Sequence, residues 1–330
     1  MIFQEVSWIR SNANKFSPDL RKKALEWYTP FRFVPFFLQK YLKGIRQLFC
    51  KVPVIVQMHP SKEINFRIGC ISQTSECKVN RELHLINAFS SKVNARTLEK
   101  LIKDDMVKKI WYDSTVKAVS DATTQAVKVS DAWNTNKASG KGIGIAVIDT
   151  GIYPHPYLSG RIIAFKDFVN DKIATYDDNG HGTHVALDVA SDGAFYKGAA
   201  PGANIIGVKV LNRFGFCNLS TVIEGIQWCI NNKDLYGIKV INMSLTNTAA
   251  KSYKTDPLFE ASVSAWNSGI FVCAAANAGP ETGTIFSPGK SQYITPVCSG
   301  IASLILETDS TLSPKAVKDI LKNINDGSLN

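Results

Sequence analysis

The sequence predicts an α/β protein built on a parallel sheet, preceded by a smaller α+β domain. Three observations carry this prediction. Residues 123–330 hold four nearly continuous apolar runs separated by helical stretches. Residues 52–118 follow a different order, strand, strand, helix, strand. The charge also steps: residues 1–122 carry 21 Lys/Arg against 11 Asp/Glu, the whole net +10, whereas residues 123–330 carry 17 of each. A step of this kind marks a boundary near residue 122, and 330 residues suffice for about two domains.

Taken from the N-terminus, residues 1–50 form a basic and aromatic extension, as in Trp27-Tyr28-Thr29-Pro30-Phe31-Arg32-Phe33. Its prolines break it into short helical pieces. Interleaved aromatic and basic side chains can meet nucleic acid or lipid headgroups, but they are expected to pack on the protein's own folded part. No clear nucleic-acid partner follows. From Pro53, Val54–Met58 reads as a strand, Leu83–Phe89 as a second and Val107–Val116 as a third. Between the last two, Ala95–Ile102 has helical spacing behind an Asn94 cap. A helix is also expected between the first two strands.

In the second part, Ile143–Ile148, Ile205–Leu211, Ile238–Met243 and Ile270–Ala275 read as strands buried on both faces. Helices are expected over 181–191, 220–231 and 256–266, so both faces of the sheet should be covered.

Several classes are excluded. The longest uncharged stretch, Ala261–Pro280, is interrupted by Asn267-Ser268-Gly269, so no membrane span is expected. Seven scattered cysteines with no CxxC pair give neither a disulfide framework nor a zinc site. The first ten residues lack the pattern of a secretory signal. Reduced thiols in a cytoplasmic protein are the expectation.

In an open parallel sheet, functional residues gather at the carboxyl ends of strands. Asp149 closes the first apolar run. His181 opens a helix in Asn179-Gly180-His181-Gly182-Thr183-His184, where the helix N-terminus should bias its imidazole pKa downward. Asn277 follows the last run, placed to donate to an oxyanion. Singly, Asp149 reads as a strand-end cap, His184 as a structural helix residue and Asn277 as a turn residue before Gly279-Pro280. Together and in order Asp149, His181 and Asn277 resemble the subtilisin-like serine proteases, the subtilases, whose carboxylate and base lie 32 residues apart, as Asp149 and His181 do.

The resemblance covers residues 140–330 and implies a serine endopeptidase with an Asp-His-Ser triad acting on polypeptides. It makes Asp149 the orienting carboxylate, His181 the general base and Asn277 the oxyanion donor. It places Ser244-Leu245 in the substrate cleft and starts a peptide-pairing edge at Gly215. It makes residues 52–122 a prodomain-like inhibitor contacting the catalytic domain, residues 123–330. The form resembled is that of intracellular bacterial subtilases with a long N-terminal extension. No cofactor is implied. A structural calcium at Asp177-Asp178-Asn179 is conceivable, but a solvated loop is the simpler expectation.

The sequence departs from the family at the nucleophile. That serine is expected about 157 residues after His181, beyond Asn330. Thr295-Pro296 resembles the tail of the nucleophile motif, and without gaps the serine position aligns with Gln292. Asn277 and Gln292 are too close together for the family's spacing of about 66 residues. An internal deletion of roughly 50 residues near 294–295, removing the serine, explains both. Ser299 falls about 10 Å late along its helix, Ser303 further, and Ser291 one residue off register. The catalytic domain is therefore read as truncated, and the chain as inactive or strongly impaired. The alternative function is a pseudoprotease or a prodomain-type binding protein. Leu187, Thr246, Ala276 and Phe216-Cys217 stand where the family favours small residues, and should crowd a bound peptide.

Overall fold

The computed structural model describes residues 6–119, 138–247, 256–275 and 299–325. Its contacts divide the chain into two units, Met1–Ser114 and Thr115–Asn330.

In the first unit, helices α1 (Ser7–Ser11), α2 (Pro18–Glu26) and α3 (Phe36–Phe49) precede a four-stranded antiparallel sheet. The Ser17 hydroxyl accepts from Leu20 N and Pro18 occupies the first turn, which together set the start of α2. The sheet order is β2-β3-β1-β4, from β1 (Val52–Met58), β2 (Arg81–Leu83), β3 (Ala88–Val93) and β4 (Val107–Tyr112). Helices α4 (Ile64–Thr74) and α5 (Ala95–Lys103) complete it. Asn94 caps α5 by accepting from Thr97 N, and Leu98, Leu101 and Ile102 turn inward. They join Val54, Val56 and Phe89 in one apolar cluster that also takes Trp8, Ile9 and Leu20 from the N-terminal helices. Each such aliphatic side chain contributes about 1.5–3 kcal/mol by its burial. The start of the extension is thus part of this unit's core.

Two expected strands are broken. The run at 83–89 is interrupted by a tight turn at His84–Ile86, and Asn87 takes the left-handed region at φ 51. An Asn tolerates that region by bonding its own backbone, so β3 starts afresh at Ala88. The run at 107–116 is two strands, β4 and β5 (Thr115–Ala118), which belong to different units.

The second unit is a parallel sheet in the order β7-β8-β6-β10-β11. Its strands are β6 (Gly144–Asp149), β7 (Ile162–Asp167), β8 (Asn204–Lys209), β10 (Ile238–Asn247) and β11 (Phe271–Ala275). Helices cover both faces. Ile145 and Val147 share an apolar cluster with α6 (His181–Ala190) and α10 (Ser299–Thr308). On the opposite face Gly225 of α7 (Leu219–Asn231) lies against Val208 and Ile148, so close that an added Cβ would sit 2.9 Å from Val210. Short α8 (Lys233–Tyr236), then α9 (Pro257–Asn267) and α11 (Pro314–Asn325), complete the described helices. Among the described residues no helix is long and apolar enough to cross a membrane.

At the carboxyl end of β10 the sheet is extended by antiparallel pairing. Thr115–Ala118 runs between β10 and β9 (Phe216–Asn218), with Leu245 opposite Ala118 and Cys217 opposite Val116.

Candidate active site

Asp149 ends β6 and is completely buried. Its Oδ1 accepts from Thr150 N at 2.6 Å and from His181 Nδ1 at 2.8 Å. Its Oδ2 has no partner among the described residues. Burial raises the carboxyl pKa above its ordinary value, against the opposing pull of His181.

His181 stands at the first position of α6, after Gly180 at φ 102. Gly182 beside it has no room for a side chain, since a Cβ there would lie 2.2 Å from the Gly151 carbonyl oxygen. The helix start is built by Asp177. Its Oδ1 accepts from the amides of Asn179 and Gly180, and its Oδ2 from Thr183 N and Oγ1. Burial favours its neutral form, but these four donors outweigh it and lower the pKa. Asp177 also accepts from Thr150 Oγ1, tying the helix start to the residue after Asp149.

The second nitrogen of His181, Nε2, lies 3.1 Å from the carbonyl oxygen of Val119. Both ring nitrogens therefore face acceptors, Asp149 on one side and a main-chain carbonyl on the other, and only the imidazolium donates to both. Burial alone would lower the imidazole pKa, but the hydrogen bond and charge of Asp149, aided by Val119 and Asp177, raise it. The downward bias expected from the helix N-terminus is thus reversed, because a carboxylate in contact outweighs the partial charge of a helix end. A His whose pKa is higher folded than unfolded stabilises fully below the unfolded value. That stabilisation is lost as pH rises through the folded value. The melting temperature is expected to fall from pH 6 towards pH 9, and His181→Gln should flatten the fall. An unchanged slope in the variant would contradict the assignment.

The residues expected in the cleft are brought to one place. Val119 N donates to Ser244 O at 3.0 Å, and Ala118 N donates to Gly215 O at 2.9 Å. Gly215 takes φ 76. Leu245 pairs with Ala118 and Thr246 with Lys117. At Thr246 and at Phe216-Cys217 the main chain pairs with Lys117 and Val116 of the chain's own strand. An extended chain is paired on both sides, because the ladder uses main-chain groups while side chains point above and below it. Asn277, Gln292, Ser291 and Ala276, with the junction at 294–295, lie outside the described residues. Ser299 Oγ bonds Asn242 Oδ1 and Ser303 Oγ bonds Gly300 O, so each hydroxyl has a partner other than His181.

Two features escape the motif reading. One is the strand at 115–118, whose alternation of exposed Thr115 and Lys117 with buried Val116 was visible but whose partners were not. The other is Lys209, wholly buried at the end of β8. Its ammonium donates to Thr150 O, to Leu211 O at 3.0 Å and to Asp178 Oδ1 at 2.6 Å. A lone lysine closing an apolar strand was the available signal. Asp177 and Asp178 are thereby engaged within the protein. Among the described residues no group of three His, Cys, Asp or Glu is placed to hold a metal.

Comparison with known proteins agrees with this geometry. The profile of Peptidase_S8, the subtilase family, matches residues 140–297. Serine protease AprX of Bacillus subtilis (strain 168) is 34% identical over 412 aligned residues, covering 97% of this chain and 93% of AprX. A thermostable alkaline protease of Halalkalibacterium halodurans is 35% identical over 217 residues, covering 64% of this chain and 57% of that protein. Among solved structures, fervidolysin from Fervidobacterium pennivorans, a keratinolytic enzyme related to subtilisin, superposes with a TM-score of 0.56 at 20% identity. That match covers 73% of this chain and 42% of fervidolysin, and it shows a shared fold. The likeness to AprX along nearly the whole of both chains establishes that this chain belongs to the subtilases, a family of serine endopeptidases.

Proposed function

We propose that this chain is a subtilase scaffold that keeps the orienting carboxylate Asp149 and the base His181 but has lost the nucleophile, and that its own segment Thr115–Val119 holds the place of a polypeptide substrate. The observation that carries the second half is the contact of His181 Nε2 with the Val119 carbonyl, at 3.1 Å. A strand paired along both edges and ending beside His181 lies as a peptide bound in extended form would lie. Gln292 in the aligned serine position supports the loss. So does the AprX alignment, which at 412 positions is longer than this chain of 330 and so contains stretches of AprX without a counterpart here. Asn277 is left as an oxyanion donor with no attack to serve. No cofactor is required. The reducing cytoplasm suits a protein whose described cysteines are all free thiols.

With a nucleophile in place, the main chain near Val119, which lies beside His181, would be the part of the segment open to cleavage. The purified protein is expected instead to persist as a single 36.3 kDa species through prolonged incubation, read by intact mass. Accumulation of a fragment ending near Val119 would overturn the reading.

A further inference from the structure

Helix α3 (Phe36–Phe49) is turned the wrong way round for a helix on a water-soluble surface, where the apolar stripe faces the core. Its polar side is the one fastened to the protein. Gln39 donates through Nε2 to the carbonyls of Phe31 and Val34, at 2.7 and 2.8 Å, and accepts from Phe31 N at 2.8 Å. Arg46 donates to the carbonyls of Glu26 and Thr29, and its guanidinium lies 3.6 Å over the Phe31 ring. The opposite side carries Phe37, Tyr41 and Leu48, spaced four and seven residues apart, which are 77%, 71% and 52% exposed. Leu38 and Ile45 widen this stripe, and Phe33, just before the helix, is 96% exposed.

The segment that carries this face is basic in sequence. Between Glu26 and Glu63 there are six Lys/Arg and no carboxylate. Arg32, Lys40 and Lys51 are exposed.

We propose that the outward face of α3 docks this protein on an anionic lipid surface. At 14 residues the helix is too short to span a bilayer but long enough to lie in its interface. Phe37, Leu48 and Ile45 would enter the boundary between headgroups and acyl chains. Tyr41 has an apolar ring and a polar tip suited to headgroup depth. The basic residues would face anionic headgroups, each adding attraction that salt screens. A second copy docked through the same face would bring two basic clusters together, whereas an anionic surface neutralises them. Nucleic acid would match the charge but leave the aliphatic side chains without partners.

The test is co-sedimentation of the full chain with vesicles of phosphatidylglycerol and phosphatidylcholine mixed, against phosphatidylcholine alone, with sedimentation velocity in the absence of lipid. Binding to the mixed vesicles is expected, falling at least tenfold on phosphatidylcholine alone and at least tenfold between 0.1 and 0.5 M salt. The triple variant Phe37→Ser, Tyr41→Ser, Leu48→Ser alters only exposed positions and should keep the parent's melting curve while losing at least tenfold in binding. No binding to the mixed vesicles would overturn the proposal, as would equal binding by the triple variant. A lipid-indifferent dimer that the triple variant dissociates would overturn it too, by making the face an interface between copies.

Discussion

Mixed with a chromogenic peptide, this chain is expected to turn over about 10⁶-fold more slowly than a subtilase that has its serine. In a subtilase, loss of the nucleophile alone costs about as much as loss of the whole triad, roughly 2 × 10⁶ in kcat, because the carboxylate and base then have nothing to activate; the expectation rests on the loss proposed above. What remains in such cases, about 10³–10⁴ over water, comes from the oxyanion donor and substrate binding. Here Phe216–Asn218 and Leu245–Asn247, the edges proposed to take a peptide, are already paired with Thr115–Ala118, so a peptide bound there in trans must first displace that strand. The base is also engaged, with His181 Nε2 on the Val119 carbonyl. Progress curves at high protein concentration measure the residual rate. Turnover within about a hundredfold of an intact subtilase would contradict the loss of the serine.

The largest effect on stability is expected from Lys209→Met. The methionine fills similar volume but leaves the carbonyls of Thr150 and Leu211 without their donor and Asp178 without its counter-ion. Asp178 is about one-third exposed on its side chain, so water replaces part of that interaction. The carbonyls in the interior have no such substitute. The expected cost is about 2–4 kcal/mol, an unfolding midpoint lower by roughly 5–15 °C for a unit of this size. The comparison is Lys233→Met, which removes an exposed ion pair with Asp234 and should change stability by less than about 0.5 kcal/mol. Equal midpoints for the two variants would show that the buried ammonium holds nothing in place.

The site and sheet differ in how far the sequence exposes them. The four apolar runs of the second part are legible because a strand buried on both faces excludes polar residues, and all four are strands of the parallel sheet. Asp149 and His181 are legible because the strand end and the helix start confine them to few positions. Thr115–Ala118 is less legible, since its partners lie about 100 and 130 residues later and nothing local announces a change of unit after Ser114. Asn87 breaks a strand through a backbone angle that composition does not encode. The orientation of α3 is hidden for another reason. An amphipathic pattern shows that a helix has an apolar side, but the hydrogen bonds of Gln39 and Arg46 decide which side is inward. The imidazole pKa of His181 runs opposite to what its helix position alone implies, because helix position is local while the contact with Asp149 spans 32 residues.

The measurement that tests the account most directly is labelling of the whole folded chain with a fluorophosphonate, followed by peptide mass mapping. Such a probe traps any serine that His181 can activate. No adduct is expected at any serine at protein concentrations that fully label an intact subtilase. A stoichiometric adduct on Ser291, or on any other serine, would contradict this expectation.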